Sequence, residues 1–226
     1  MDNLRQAARA AAADMAKEIS GSLVLGLGSG STVAAVLEEL APLIQQKKGS
    51  VWGVPTSTQI EEVASRSGIK LAPFTGSVDF VIDGADQVDS QLDLVKGRGG
   101  ALLKEKVVMS CAAKVAIVAG EAKFSRRLCE NGVKVPVEVF TMARKGVKEQ
   151  LSRLGGVPEE RILANGYPYF TENGNMILDT AFEPIEEPQQ LEMEVKNIPG
   201  VLEVGIFTMK PIMVYKLRND GRFDLL

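Results

Sequence analysis

Two spacings of apolar residues alternate along the first half of the chain. Short, continuously apolar runs such as Leu23 to Leu27 have the character of strands covered on both faces. Between them apolar residues recur at three- and four-residue steps, as in Val33, Val36, Leu37 and Leu40, which marks one face of a helix. Residues 4–19 are alanine-rich and predict an opening helix. Pro42 is expected to end or kink the helix after the first strand. The alternation continues. VWGVP reads as a strand and TQIEEVASR as a helix closed by Gly68; IKLAPF, DFVIDG and LDLVK read as strands. A helix from about Ala101 to Ala112 and the strand KVAIVAG follow. This order predicts an open, mostly parallel, Rossmann-like α/β sheet.

The pattern changes after Gly132. VKVPVEVF reads as a strand, ARKGVKEQLSRLG as a helix and RILANG as a strand. YFTENGNMILDTAF reads as two strands around an Asn173-Gly174 turn, PQQLEMEVKNI as a helix and LEVGIFTM as a strand. The nearest standard pattern is the βαββαβ order of a ferredoxin-like α+β unit. The expected division is therefore residues 1–131 plus 206–226 as a catalytic α/β domain and 132–205 as a small second domain. The tail after Met209 is expected to return one strand to the first domain.

Composition narrows the chemistry. The chain has 226 residues, 45% of them hydrophobic, enough for a sizeable core. It contains no histidine, which removes serine and cysteine triads and His-ligated zinc. Cys111 and Cys129 have no CxxC spacing and read as small buried hydrophobes, consistent with a reducing compartment. The net charge of −3 leaves no basic footprint for nucleic acid. No apolar run approaches a membrane span, and no compact signal core is visible near Arg5 and Arg9. The expected location is cytoplasmic, or the plastid stroma if a transit peptide has been removed.

Four segments carry candidate chemistry. Gly28, Ser29, Gly30, Ser31 and Thr32 join a strand to a helix, where backbone N–H groups and hydroxyls suit a phosphate. No GK[ST] ends the segment, and its glycine spacing fits a dinucleotide fingerprint poorly, which disfavours a nucleotide-dependent oxidoreductase. A tight structural turn with a serine cap is an equal reading. Asp83 and Asp86 follow an apolar strand, so they stand at a carboxyl edge where α/β sheets bind ligands. An Asx turn is the plain alternative, and a magnesium site lacks an evident third ligand. Lys96, Gly97, Arg98, Gly99 and Gly100 place a cation before a glycine loop that opens a helix carrying Glu105 in its second turn. Leu102 and Val108 lie beside Glu105 by helical spacing, so an inward carboxylate there would have a raised pKa and suit a general base. The plain alternative is a solvated Glu-Lys face, which the preceding glycine loop argues against. Lys123 puts a cation just past the strand KVAIVA, where a surface lysine is the commoner reading.

The order of GLGSGST, GVPTS, DGAD, KGRGGALLKEK, VPVEV, LGG, NGNMILD and IPGVLEVGIF resembles type A ribose-5-phosphate isomerase over most of the chain. The resemblance implies interconversion of ribose 5-phosphate and ribulose 5-phosphate without a cofactor or required metal. It implies Glu105 as catalytic base, Lys96 as an active-site cation, and Asp83 and Asp86 as the family's paired acids. The GSGST loop and Lys123 become the sugar-phosphate binding elements. Many relatives carry glycine at the Arg98 position, so Arg98 either adds charge at the site or points outward. A family lysine near the N-terminus has no clear counterpart, with Arg5 and Arg9 as candidates. The implied partners are a small sugar phosphate and a second copy of the chain, as a homodimer or homotetramer. A non-catalytic sugar-phosphate sensor or regulatory subunit on the same scaffold is the alternative; it needs the phosphate loop but neither Glu105 nor Lys96.

Overall fold

The computed structural model describes residues 2–210 and 212–226. The helices are α1 (Asp2–Glu18), α2 (Ser31–Gln45), α3 (Thr58–Arg66), α4 (Leu102–Ser110), α5 (Arg144–Arg153) and α6 (Pro188–Lys196). The strands of the first half are β1 (Leu23–Leu27), β2 (Val51–Pro55), β3 (Lys70–Leu71), β4 (Val78–Gly84), β5 (Gln87–Val88), β6 (Leu94–Val95) and β7 (Ala112–Gly120). Those of the second half are β8 (Val135–Val139), β9 (Val157–Glu160), β10 (Met176–Ala181), β11 (Val201–Val204), β12 (Ile206–Phe207), β13 (Met213–Leu217) and β14 (Phe223–Leu225).

The chain divides into two compact units. The first comprises Met1–Gly84, Lys104–Lys123 and Lys210–Leu226; the second comprises Ala85–Leu103 and Phe124–Met209. The small domain expected at 132–205 falls inside the second unit. That unit also takes 85–103, 124–131 and 206–209 from the expected first domain; β6 pairs with both β5 and β12 in a separate sheet.

In the first unit the described strands form a seven-stranded sheet in the order β14-β13-β7-β4-β1-β2-β3. All its pairings are parallel except that of β14 with β13. Leu25, Leu27, Phe80 and Ile82 are buried on β1 and β4, and each such side chain contributes about 1.5–3 kcal/mol. Helix α1 turns Ala7, Ala8, Ala11, Ala12 and Met15 inward, and α2 turns Val33, Val36, Leu37 and Leu40. Pro42 does not end α2, which runs on to Gln45. Proline costs one backbone bond there, while Ala41 and Ile44 on either side of it stay packed in the core. The strand expected over IKLAPF is reduced to Lys70–Leu71 at the sheet edge. The tail forms two strands rather than one: β13 lies parallel to β7, and a turn with Gly221 at φ 87° brings β14 back against it. Pro211, in that tail, lies outside the described residues.

In the second unit the described strands form a four-stranded antiparallel sheet, β11-β8-β10-β9, and a three-stranded one, β12-β6-β5. The first has the strand order of a ferredoxin-like sheet, with its core built from Val135, Val137, Val139, Leu151, Leu178 and Val195. RILANG is not a strand. The strand is Val157–Glu160 just before it, paired with β10. Ile162 and Leu163 are exposed, and the segment closes on itself through a single bridge to Pro168. LEVGIFTM is broken at Gly205 into β11 and β12, which belong to different sheets.

Candidate active site

The first unit gathers several candidates at one sheet edge. Strands β1 and β4 are parallel neighbours with Leu27 opposite Ile82, so Gly28, just past β1, and Asp83, near the end of β4, lie at the same sheet edge. The Gly28 N–H donates to the Ile82 carbonyl at 2.8 Å. A β-carbon on Gly28 would stand 1.9 Å from Cγ of Asp83, so only glycine fits beside that carboxyl group. Asp83 is fully buried, and its Oδ1 accepts from the Gly84 N–H at 2.7 Å. On the other side of β4, Gly84 lies opposite Val118 of β7. The half-buried Lys123 closes the short turn that follows β7 at the same edge.

The loop from Gly28 to Thr32 opens α2. Gly30 is the N-cap, and no side chain caps the helix. Its first N–H groups are therefore left for an anion, favoured by the positive end of the helix dipole. Ser29 Oγ hydrogen-bonds Thr56 Oγ1 at 3.0 Å and donates to Ser57 Oγ at 2.7 Å. Thr56 is anchored in turn on the Leu27 carbonyl at 2.9 Å, and the Gly30 N–H donates to Gln59 Oε1 at 3.2 Å. Thr56, Ser57 and Gln59 were not singled out from the sequence. The signal was a Thr-Ser pair after strand β2, matching the hydroxyl-rich loop after β1.

Glu105 lies on α4, whose far end meets the start of β4: the Val78 N–H donates to the Cys111 carbonyl at 3.1 Å. Val108 packs over Gly26 of β1, and Glu105 lies one turn nearer the carboxyl edge. The glutamate is 5% exposed. It stands in the first turn of α4 rather than the second, because the helix starts at Leu102.

The second unit holds the other candidates. Lys96 is 3% exposed, its ammonium is 5.6 Å from the centre of the Phe207 ring, and its N–H donates to the Gly205 carbonyl at 2.8 Å. Asp86 Oδ2 accepts from the Arg98 N–H at 2.9 Å. Arg98 and Gly99 are exposed, whereas Gly97 and Gly100 are buried. Arg98 as a residue is thus on the surface, with its backbone tied to Asp86. Two further residues hold the loop and left no trace in the sequence pattern. Arg161 donates to the carbonyls of Gly97 and Arg98 at 3.1 and 2.9 Å, and the Tyr169 hydroxyl donates to that of Gly99 at 3.2 Å. Burial pushes the Tyr169 hydroxyl above the usual tyrosine value, opposed by the charge of Arg161.

Arg5 and Arg9 are engaged elsewhere. Both pair with Glu39, at 3.2 and 2.9 Å, about two turns past the start of α2. Among the described residues no group of three His, Cys, Asp or Glu side chains is arranged to hold a metal ion, and no helix is long and apolar enough to cross a membrane.

Known proteins resemble this chain in sequence and fold. Residues 52–221 match the family model of ribose 5-phosphate isomerase A (phosphoriboisomerase A). Ribose-5-phosphate isomerase A of Methanoregula boonei is 43% identical, over 92% of this chain and 87% of its own length. That of Methanosarcina acetivorans is 40% identical, over 88% and 85%. The ribose 5-phosphate isomerase A structure from Methanocaldococcus jannaschii superposes with a TM-score of 0.90 at 35% identity, covering 100% of this chain and 98% of that one. A D-ribose-5-phosphate isomerase in complex with phospho-erythronic acid gives 0.90 at 36% identity, covering 97% and 96%. The chain belongs to the ribose 5-phosphate isomerase A family.

Proposed function

We propose that the chain interconverts D-ribose 5-phosphate and D-ribulose 5-phosphate by proton transfer through an enediolate, a step of the pentose phosphate pathway. The observation that carries this reading, beyond family membership, is the burial of two ionisable side chains, Glu105 and Lys96. A chain that only bound sugar phosphate would need the loop from Gly28 to Thr32. It would have no use for a carboxylate and an ammonium kept out of water at a cost in desolvation.

Each residue has a role in this scheme. Asp83 moves the ring proton as the furanose opens, and Asp86 holds substrate hydroxyls. Glu105 takes the proton from C2, and the electron pair of that bond forms the C1–C2 double bond of the enediolate. Lys96 stabilises the negative charge that develops on oxygen, usually the larger catalytic term. Glu105 then returns a proton to C1 while the C2 hydroxyl passes its proton to the C1 oxygen, leaving a ketone at C2 and a hydroxyl at C1. The phosphate is held by Gly28, Ser29, Gly30, Ser31, Thr32 and Lys123, with the loop of Gly97, Arg98, Gly99 and Gly100 shaping the reactive end. A phosphorylated sugar acid such as phospho-erythronic acid offers a carboxylate where the enediolate has its two oxygens, which supports a similar ligand class for this chain.

The scheme uses no metal or cofactor; we further propose that the protein acts as a homodimer or homotetramer in the cytoplasm, or in the plastid stroma if a transit peptide has been removed. A coupled assay with ribose 5-phosphate, run with and without EDTA, tests it. Full turnover with chelator present and very poor turnover of free ribose are expected. Absence of isomerisation leaves the sensor reading, and a loss restored only by a divalent cation refutes the metal-free scheme.

A further inference from the structure

The loop of residues 97–100 is poorly suited to hold its own shape. Three of its four residues are glycine, and Gly97 and Gly100 sit at φ 105° and 83°. Such a segment has many accessible backbone states and few side-chain contacts to choose among them. It nevertheless follows Lys96 directly and leads into α4. One hydrogen bond lies inside it, from the Gly100 N–H to the Gly97 carbonyl at 3.0 Å, and three successive carbonyls are held from outside the loop. Arg161 Nη1 takes those of Gly97 and Arg98, and the Tyr169 hydroxyl takes that of Gly99.

Arg161 is itself fixed. Its Nε and Nη2 donate to the two carboxylate oxygens of Asp179 at 2.8 and 2.5 Å, a fork-to-fork pair. Asp179 lies on β10, paired on both sides, with Pro136 of β8 and Glu159 of β9 as its neighbours. The guanidinium carbon is 5.5 Å from the centre of the Tyr169 ring. Nη1 points away from Asp179 and serves both loop carbonyls. An ion pair meant only to join β9 to β10 would have no use for that second edge.

We propose that Arg161 is a positioning residue for the isomerisation: braced by Asp179, it fixes the carbonyls of the 97–99 segment and thereby the place of Lys96. Tyr169 completes the brace at Gly99. The inference rests on the isomerase reading and deepens it. Lysine cannot replace the arginine, because it lacks the planar fork that serves Asp179 and the loop at once.

The test uses the full chain with Arg161→Met, Arg161→Lys and Asp179→Asn, and measures kcat, KM, thermal midpoint and amide hydrogen exchange at residues 97–100. In each variant kcat is expected to fall at least about tenfold, since small misplacements from remote changes cost up to about 10²-fold. KM should stay within about threefold, because the phosphate contacts lie in another loop. Arg161→Lys should not rescue turnover. Arg161→Met combined with Asp179→Asn should be little worse than Arg161→Met alone, as for residues acting in series. Amides of the loop should exchange faster while the melt stays cooperative. Near-normal kcat in a folded Arg161→Met protein, full rescue by lysine, or multiplying effects in the double variant overturns the proposal. If Arg161→Met does not fold, Asp179→Asn decides by the same readouts. Wild-type protein with no isomerase activity refutes the isomerase reading instead, and the exchange measurement still decides whether Arg161 holds the loop.

Discussion

Two glycine loops, each following a strand and opening a helix, have opposite surroundings. At Gly30, in the first, an added β-carbon would meet nothing within 4 Å, and the helix behind it has no side-chain cap. Its donors are open to an incoming anion. At Gly100, in the second, a β-carbon would lie 2.2 Å from the Tyr169 hydroxyl oxygen. There the carbonyls of residues 97–99 are taken by Arg161 and Tyr169. The same residue type therefore serves two ends. Gly30 leaves room for a ligand's oxygens, and Gly100 lets a neighbouring side chain close on the backbone. The proposed scheme assigns binding to the first loop and reactive geometry to the second.

The comparison predicts that damage near the second loop appears in kcat and damage near the first in KM. The largest effect is expected for Lys96→Ala, with kcat reduced about 10²–10³-fold, the usual cost of one oxyanion stabiliser. Steady-state kinetics of the purified variant check it; a change confined to KM breaks the comparison. Lys123→Ala is expected to weaken substrate binding with kcat largely kept. Its side chain is half-buried, so the cost should sit near the low end for a charge-assisted contact, about 2 kcal/mol or roughly thirtyfold in affinity. Calorimetric titration with a phosphorylated sugar acid measures that directly.

Stability should separate the loops as well. Gly100→Ala adds a clash to its positive φ and is expected to cost about 1–3 kcal/mol, part of it recovered by combining it with Tyr169→Ala. Gly30→Ala meets open space, and its φ of 105° with ψ of 165° is a backbone region essentially confined to glycine, so it should cost about 1–3 kcal/mol, with no recovery from that partner. Absence of recovery for Gly100→Ala in urea melts would remove the distinction. The smallest effect concerns Asp14, whose carboxyl is held below the usual aspartate range by the hydrogen bond from Lys17, with the Tyr215 hydroxyl adding to it and burial opposing. A lowered folded-state pKa gives stability that is present above the ordinary aspartate range and lost as pH falls through the folded value. Lys17 is exposed and Asp14 half-buried, so Asp14→Asn should cost no more than about 1 kcal/mol near neutral pH. The difference from wild type should shrink on acidification, as thermal melts across the acid range would show.

Much of this was legible in sequence because it depends on local pattern. β1 and α3 follow directly from apolar spacing and turn residues, and the βαββαβ order of residues 135–204 emerged from the same rhythm. The edge placement of Gly28 and Asp83 followed from the rule that parallel strands present their carboxyl ends together. What was not legible depends on distant pairing. RILANG has a strand's composition but lies where β9 has already ended, with its apolar residues exposed. Arg161 reads as one more cation until the fold brings it to a loop 63 residues away. The break of LEVGIFTM at Gly205 is set by close packing: a β-carbon there would lie 2.3 Å from the Lys96 carbonyl oxygen.

The central claim, that Glu105 carries the proton, is tested most directly with ribose 5-phosphate deuterated at C2. Wild-type protein should isomerise the sugar and release part of the label to water, because a proton held by a carboxylate exchanges during the enediolate's lifetime. Glu105→Gln keeps the shape of the side chain and loses the base. It should bind the sugar in calorimetry, lose turnover by at least about 10²-fold and release no label. Near-normal turnover in that variant would move the base to another residue, Asp83 first. Complete retention of label by the wild-type protein would contradict the enediolate route itself and point to direct hydride transfer between the two carbons.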